Sequence, residues 1–208
     1  MQWIAMVTML IDHIGYVFFP NEMLWRIIGR VSFPIYAYAL VQGHLHTSNK
    51  SKYMIRLFII ALVSQIPYQL ALDPNGINVV GTLVVAVVVL NIVDSVSSKI
   101  LSAGIILLFG MMMETFPFDY GAYGLLLVLV YRYCSSHQLV GAHLLLNLLF
   151  LFSNNWTLQM LSIVPTMIIV YGPRLWNRLE SMRVSKWIWR SFYPLHLCLL
   201  VVVQKTIF

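Results

Sequence analysis

The sequence predicts an all-α protein, a polytopic bundle of about nine transmembrane helices that forms a single domain over residues 1–208. Of the 208 residues, 60% are hydrophobic and only 10% are charged, whereas soluble domains carry roughly 25% charged residues. Apolar stretches separated by short polar breaks run from end to end, with a mean hydropathy of +0.83. No block of about 50 residues or more is therefore left for a separate soluble domain.

Each predicted helix is a stretch long and apolar enough to cross a bilayer, which needs roughly 20 residues. The stretches lie near residues 2–19, 24–46, 53–72, 77–94, 99–116, 120–134, 138–154, 156–172 and 186–205. Turn-forming segments such as Asp73-Pro74-Asn75-Gly76 separate them. The first stretch has no basic segment before it and no small-residue cleavage site after it, so we expect it to remain as a helix.

Basic residues predict the orientation, because loops on the cytoplasmic side are enriched in Lys and Arg. With the N-terminus inside, ten of the thirteen basic residues fall in inner loops. They are Lys50, Lys52, Arg56, Lys99, Arg132, Arg174, Arg178, Arg183, Lys186 and Arg190. The outer loops instead carry Glu22, Asp73, Glu114 and Asp119. This alternation predicts an N-in, C-out topology.

Asp12 and His13 are unusual residues for the first helix, in the run "MLIDHIGYVFFP" at residues 9–20. An ionised aspartate near the bilayer centre costs roughly 2.5–3.5 kcal/mol, so Asp12 should face the protein interior and have a partner. Adjacent residues of a helix point about 100° apart, which favours a partner on another helix over His13. Either the two residues make structural contacts between helices, or the histidine is a catalytic base that a carboxylate orients.

Arg26 and Arg30, in "LWRIIGRVSFP", are four residues apart. They therefore share one face of the second helix, where like charges repel. An anion should lie against them. Asp12 is the candidate within the chain, because the end of helix one and the start of helix two meet across a short turn. A bound anionic ligand would serve equally, and Arg26 alone could instead extend to the outer interface.

Three further segments place polar side chains on apolar helices. His44 and His46 are two residues apart at the end of the second helix, so they diverge and form a poor metal site. No HExxH motif occurs, and we expect no metal. "FDYGAYG", residues 118–124, places Asp119 and Tyr120 at the outer end of the sixth helix. "FYPLHL", residues 192–197, places His196 near mid-membrane in the last helix.

Five ordered segments resemble the TraX family of conjugation-associated integral membrane proteins, whose best-known member N-acetylates the pilin subunit. They are "MLIDHIGYVFFP", "RIIGRVSFPIYAYALVQGHLHT", "YMIRLFIIALVSQIPYQLAL", "DYGAYGLLLVLVY" and "SFYPLHL". The resemblance runs from about residue 4 to about residue 200. It implies a multi-pass acyltransferase of the bacterial cytoplasmic membrane, with acetyl-CoA as the acyl donor. Gln42 departs from the family pattern, which has an acidic residue at that position.

The polar clusters, the inner basic charge and the resemblance together suggest roles for individual residues. The expected catalytic set is Asp12, His13, Arg30, Asp119, Tyr120 and His196. The residues expected to bind acetyl-CoA are Arg26, His46, Lys52, Arg56 and Arg190. In the expected mechanism His13 removes a proton from the acceptor, Asp12 or Asp119 orients the charged histidine, and the oxyanion is stabilised by Arg30. His196 is a reserve base or relay. Direct transfer and a transient acyl-histidine both stay open.

The expected partners are membrane lipid and an acyl acceptor, either a peptide or a small amine or hydroxyl compound, with no nucleic acid. Other function classes stay open. Buried charges also mark the path of an anionic solute in a carrier or flippase, although internal repeats and paired broken helices are not apparent. A non-catalytic assembly subunit is another class. An intramembrane metalloprotease is disfavoured, because the sequence has no metal-ligand motif. Acyl transfer requires CoA release, transport requires solute flux, and assembly requires neither.

Overall fold

The computed structural model describes residues 1–182 and 184–207. Within them the chain forms eleven α-helices, one 3-10 segment and no named β-strand, which confirms the all-α prediction. Arg183, assigned above to an inner loop, lies outside the described residues.

The observed helices follow the predicted stretches closely. In chain order they are α1 (Gln2–Phe18), α2 (Met23–Gly29), α3 (Ser32–His46), α4 (Lys50–Ala71), α5 (Val79–Ser95), α6 (Lys99–Thr115), α7 (Gly121–Tyr133) and α8 (Ser136–Asn154). The 3-10 segment (Thr157–Ser162), α9 (Ile163–Tyr171), α10 (Pro173–Ser181) and α11 (Lys186–Ile207) complete the chain. Two of the predicted stretches, 24–46 and 156–172, are divided, and α10 was not predicted.

The stretch 24–46 is two helices because of Pro34. Proline lacks an N–H donor, and its ring clashes with the carbonyl four residues earlier, which is that of Arg30. α2 therefore ends at Gly29 and α3 begins at Ser32. Pro34 then lies in the first turn of α3, where proline is tolerated. The Ser32 hydroxyl donates to the Gly29 carbonyl at 2.8 Å and closes the break.

α10 lies against the start of α1. It follows the preceding helical segment at an angle of 97°, and Pro173 occupies its first turn, as is usual for proline. Trp176 is buried and packs edge-on against Tyr38, with ring centroids 5.1 Å apart. The Met1 ammonium donates to the carbonyl of Leu179. The start of α1 is thereby attached to α10.

α7 lies at the centre of the bundle, packed against α3, α5, α6 and α8. Its side chains Leu125, Leu127 and Val128 are fully buried. α1 packs against α2, α3 and α11, and α11 packs against α4. The first and last helices of the chain are therefore neighbours.

One carboxylate joins four helix termini at one end of the bundle. Asp94, near the end of α5, accepts from Arg132 Nη2 at 3.2 Å and from the Tyr133 hydroxyl at 2.9 Å. His44 Nε2, near the end of α3, lies 3.4 Å from Asp94, and Lys50 Nζ, at the start of α4, lies 3.9 Å from it. The ends of α3, α5 and α7 and the start of α4 are thus held together.

Two helices among the described residues are long and apolar enough on their own to cross a membrane, Lys50–Ala71 and Ser136–Asn154. The bent pair Thr157–Tyr171 and Pro173–Ser181 gives a third if it is counted as one broken span. Gln2–Phe18, Val79–Ser95 and Gly121–Tyr133 are apolar but shorter. Large apolar side chains such as Ile66 and Phe152 are exposed on the bundle surface, which is typical of a membrane protein.

Candidate functional site

Asp12 is buried in α1, 7% exposed, and is paired with two arginines. Arg26 Nη1 donates to Asp12 Oδ2 at 3.0 Å, and Arg30 Nη2 donates to Asp12 Oδ1 at 3.3 Å. Gly29 permits this contact, because a Cβ atom there would overlap the Asp12 carboxylate. The prediction that Asp12 is the counter-ion of both arginines is confirmed.

Arg30 is fixed on several sides. Besides its bond to Asp12, its Nη1 donates to Gln159 Oε1 at 3.3 Å, and its Nε donates to the Arg26 carbonyl at 3.3 Å. The Arg30 Cζ atom lies over the Tyr120 ring, 5.9 Å from its centroid, where the ring face attracts a cation. The guanidinium charge is therefore held in one place.

The 3-10 segment that carries Gln159 is attached to the bundle by buried hydrogen bonds. Ser162 Oγ lies 3.0 Å from the Tyr123 hydroxyl and 3.1 Å from His143 Nε2. Asn147 Nδ2 donates to the same Ser162 oxygen at 3.1 Å. These four side chains are fully buried, and such satisfied networks make a core rigid. Gln159, itself 2% exposed, is thus positioned by α7 and α8.

His13 and His196 form a hydrogen-bonded pair between α1 and α11. His196 Nδ1 lies 2.8 Å from the Phe192 carbonyl, which can only accept, so the ring hydrogen of a neutral His196 is on Nδ1. Its Nε2 then accepts from His13 Nδ1 at 2.8 Å. This arrangement leaves the lone pair of His13 on Nε2, and that atom has no hydrogen-bond partner within the described part of the chain. His196 occupies the orienting position that was expected for Asp12 or Asp119.

Asp119 and Tyr120 lie in the segment that joins α6 to α7. The Asp119 N–H donates to the Ile77 carbonyl at 2.9 Å, and the Ile77 N–H donates to the Pro117 carbonyl at 2.8 Å. The Asp119 carbonyl accepts from the Thr82 hydroxyl. Tyr120 has a left-handed backbone, with φ 63°, which is uncommon for a bulky residue. These contacts fix segments 73–78 and 116–120 against each other.

A cavity of about 490 Å³ joins these groups. Its lining comprises Met9, Asp12, His13, Tyr16, Arg26, Arg30, Ser32, Phe33, Tyr68, Leu72, Asp73, Val79, Asp119, Tyr120 and residues 155–159. The charged lining residues are two arginines and three aspartates. Burial raises the pKa of the Asp119 carboxyl to about 6, and this rise is opposed by the nearby charge of Arg30. Asp119 is therefore half ionised at mildly acidic pH.

The cavity brings most of the predicted catalytic set together. Asp12, His13, Arg30, Asp119 and Tyr120 line it, and His196 joins the set through His13. Of the residues expected to bind acetyl-CoA, Arg26 lines the cavity.

The other four residues of the acetyl-CoA set, His46, Lys52, Arg56 and Arg190, do not line the cavity. Lys52 and the cavity residue Tyr68 are sixteen residues apart in α4, about 24 Å along the helix axis. The His46 Nδ1 lies 2.9 Å from the Gln42 carbonyl. These four side chains are therefore separate from the cavity.

The cavity residues that were not predicted from the sequence include Tyr68, Asp73, Trp156 and Gln159. Asp73 was interpreted as part of a turn, and Gln159 lies in a stretch that was predicted as an ordinary span. The signal available for Gln159 was a polar amide two residues after Thr157 in an apolar run. Its partner Arg30 lies 129 residues away in sequence, so the pairing depends on tertiary packing.

The arrangement supports proton transfer and the stabilisation of negative charge. A neutral imidazole with a free Nε2 accepts a proton within hydrogen-bond reach, and an immobilised guanidinium stabilises an oxyanion without reorganisation. Across residues 1–182 and 184–207, no three His, Cys, Asp or Glu side chains converge as a set of metal ligands.

The sequence as a whole is similar to known proteins. A family profile described as TraX protein matches residues 1–204. The chain is also 27% identical to a protein of Dichelobacter nodosus named probable fimbrial assembly protein FimC, serogroup H1, in an alignment covering 95% of this chain and 91% of that protein. No solved structure matches the chain.

Proposed function

The chain belongs to the TraX protein family, and we propose that it is a membrane-embedded acyltransferase. In this proposal it moves an acetyl group from acetyl-CoA to an amine, such as the N-terminus of a peptide or a pilin-like subunit. The observation that carries the proposal is the free Nε2 of His13, on a cavity that also holds Arg30 and Asp119. The name of the fimbrial assembly relative supports an acceptor connected with pili.

The proposed location is the bacterial cytoplasmic membrane, with nine crossings and an N-in, C-out topology. α2 with α3 makes one crossing, and the 3-10 segment with α9 makes another. α10 then lies along the inner surface, where its Arg174 and Arg178 suit anionic lipid headgroups. The turns beside the cavity, at 19–22, 72–78 and 116–120, all fall on the outer side, whereas the termini joined by Asp94 fall on the inner side. Support comes from the distribution of basic residues.

Proton transfer in the proposed reaction runs through His13. Its Nε2 takes one proton from the attacking amine as the new C–N bond forms at the acetyl carbonyl carbon. The C–S bond of the thioester then breaks, and the departing sulfur takes that proton from His13, so that CoA leaves as the thiol. The hydrogen bond from His13 Nδ1 to His196 Nε2 keeps the ring in the required tautomer throughout.

Negative charge develops on the carbonyl oxygen during attack, and Arg30 is the group proposed to stabilise it. Its position is set by Asp12, Gln159 and Tyr120 rather than by the substrate. Such preorganised donors are worth about 10²–10³ in kcat. Asp12 keeps the two arginines together and has no direct part in proton transfer here.

The acyl donor reaches the cavity from the inner side in this proposal. Lys52, Arg56 and Arg190 suit the phosphates of acetyl-CoA through charge-assisted hydrogen bonds, and His46 lies at the end of α3 close to the start of α4. Because these residues lie far from His13, the pantetheine arm of acetyl-CoA extends into the bundle and carries the thioester to the cavity. Arg26, which lines the cavity, is then closer to the reacting end of the donor than to its phosphates.

The proposal is tested by CoA release in nanodiscs from acetyl-CoA plus an amine-terminated peptide. His13→Ala should lower kcat by about 10²–10⁴, the usual contribution of a general base. The matched control is His137→Ala, because His137 is exposed on α8 and does not line the cavity. Full turnover by His13→Ala would falsify the assignment. Solute flux without CoA release would favour a carrier, and normal pilus assembly with neither would favour a non-catalytic assembly subunit.

A further inference from the structure

The cavity has an acidic side that the proposed chemistry leaves without a role. Asp73 and Asp119 both line the cavity, and neither makes an ion pair within residues 1–182 and 184–207. Asp12 and Asp94 differ, because both are neutralised by arginines. Asp73 Oδ1 accepts only from the Asn75 backbone N–H, at 3.1 Å. Carboxylates held at a cavity wall without a cation favour a cationic ligand.

Tyr68 provides a second, independent indication of a ligand on this side. Its side chain is 5% exposed, it lines the cavity, and its hydroxyl makes no hydrogen bond in the part of the chain that the structure describes. Asp73 and Asp119 line the same cavity as Tyr68. An unpartnered hydroxyl at a cavity wall is available to a bound ligand. Its oxygen can accept a hydrogen bond from a bound N–H group.

Aromatic rings complete this acidic side. Tyr120 lies edge-on to Trp156, with centroids 6.4 Å apart and an interplanar angle of 88°, and both rings line the cavity. The Tyr120 ring is stacked on Phe33 and lies beneath Arg30, so these rings form the wall of the acidic side rather than a contact for the ligand's charge. The two segments that carry Asp73 and Asp119 are fixed by the Ile77–Phe118 bridge, so the site needs little ordering when a ligand binds.

We propose that Asp119, Asp73 and Tyr68 form a subsite for the primary ammonium group of the acceptor, with Asp119 as its principal counter-charge. The identity of the acceptor rests on the proposed function, whereas the recognition of an ammonium rests on this side of the cavity alone. The subsite accounts for the choice of an amine over a hydroxyl compound as acceptor. A hydroxyl group would leave both carboxylates without an ion-pair partner, which disfavours the neutral compound.

Recognition of the ammonium also fits the chemistry that follows. A protonated amine is not a nucleophile, so it must lose one proton before it attacks a thioester. The ammonium first passes one proton through His13 Nε2 to the aqueous phase, which leaves a neutral amine with its lone pair free and His13 unprotonated again. His13 Nε2 then takes the second proton as the C–N bond forms and passes it to the departing sulfur, while its Nδ1–H stays bonded to His196. The subsite therefore gathers the acceptor in its prevalent, charged form.

The test compares two peptide amides that differ in one group, triglycine amide with its free ammonium and the same compound with a hydroxyl in place of that ammonium. Binding to the protein in nanodiscs is measured by calorimetry without acetyl-CoA. We expect the ammonium compound to bind about tenfold more tightly, as one charge-assisted contact allows. Asp119→Asn should abolish this preference, and Asp73→Asn should reduce it. Glu22→Gln, a change at an exposed residue outside the cavity lining, should preserve it.

Equal affinity of the wild-type protein for the two compounds overturns the subsite without any need for a variant. A preference that survives in folded Asp119→Asn also overturns the role of Asp119. The subsite and the proposed function fail separately. A charge preference without any acetyl transfer would leave the subsite standing and refute the acyltransferase, whereas transfer without a charge preference would do the reverse.

Discussion

The Nδ1 atom of His13 and the Nε2 atom of His196 lie 2.8 Å apart, although the residues belong to the first and last helices of the chain. Because His196 Nδ1 is engaged by the Phe192 carbonyl, the direction of the hydrogen bonds is defined along the whole series. In a serine hydrolase a carboxylate fixes the tautomer of the catalytic histidine. Here a second imidazole, that of His196, occupies the position of that carboxylate. α1 and α11 must therefore be packed together before the site is complete.

His196→Phe is expected to lower kcat for acetyl transfer by about 10²-fold, with little change in the KM for acetyl-CoA. Phenylalanine cannot accept from His13 Nδ1, so the tautomer of His13 is no longer fixed. His196→Gln keeps a side-chain acceptor and should recover part of the lost rate. Steady-state CoA release measures both variants. A purely structural role of His196 predicts instead that kcat follows the folded fraction in both.

Asp12→Asn is expected to destabilise the fold by about 3 kcal/mol, because it leaves two adjacent, partly buried guanidinium groups without a counter-ion. For a protein of this size that corresponds to a fall in Tm of about 6–12 °C. Thermal unfolding in detergent measures it. Glu22→Gln removes a carboxylate from an exposed position and should change Tm little. An unchanged Tm in Asp12→Asn would contradict the energetic importance of the pair.

Gln159→Leu removes the oxygen that accepts from Arg30 Nη1. A lost bond of this type, to a charged group, costs about 1.5–3 kcal/mol. We expect a lower Tm and a lower kcat, since Arg30 is then free to move. Gln138→Leu is the matched control, because Gln138 is exposed on α8. Equal effects of the two substitutions would argue against a positioning role for Gln159.

Asp119→Asn should stabilise the protein more at pH 7.5 than at pH 4.5. The pKa of Asp119 is raised to about 6 in the folded protein by burial, so the folded state binds a proton more tightly than the unfolded chain does. The stability that this protonation contributes is complete below about pH 4 and is lost as pH rises through about 6. Asparagine does not titrate, so the variant does not lose this stability as the pH rises.

The measurement for Asp119 is Tm of the wild type and of Asp119→Asn at both pH values. The groups acting on this carboxyl are Arg26, Arg30, Asp12 and Tyr120, and the two arginines keep their charge at both pH values. A difference in Tm that is the same at both pH values would show that Asp119 does not titrate in this range.

The sequence predicted the helices well, because each apolar stretch ends at a strong turn signal. α4 and α8 begin within a few residues of the predicted bounds. The break between α2 and α3 was missed although Pro34 signals it, since hydropathy alone is continuous across Arg30. α10 was missed because its charged residues exclude it from a hydropathy search, and only Trp176 is buried in it.

The sequence predicted those parts of the candidate site in which a charged residue on an apolar helix needs an opposite charge nearby. The spacing of Arg26 and Arg30 required an anion, and Asp12 required a cation, so their pairing followed from the sequence. The partner of His13 did not follow, because His196 is 183 residues away and a carboxylate was the simpler expectation. Asp73 and Tyr68 were missed for a related reason, since only the folded chain brings segments 73–78 and 116–120 together.

The helices around the cavity are short, and this has a consequence for the surrounding lipid. α7 has 13 residues and spans about 20 Å, and α1 has 17 residues and spans about 25 Å. A typical hydrocarbon layer is about 30 Å thick. In the proposed nine-crossing topology, such a hydrophobic mismatch is relieved by local thinning of the bilayer, which brings the outer aqueous phase closer to His13. In reconstituted vesicles, turnover should therefore be highest in short-chain lipids and fall as the acyl chains lengthen.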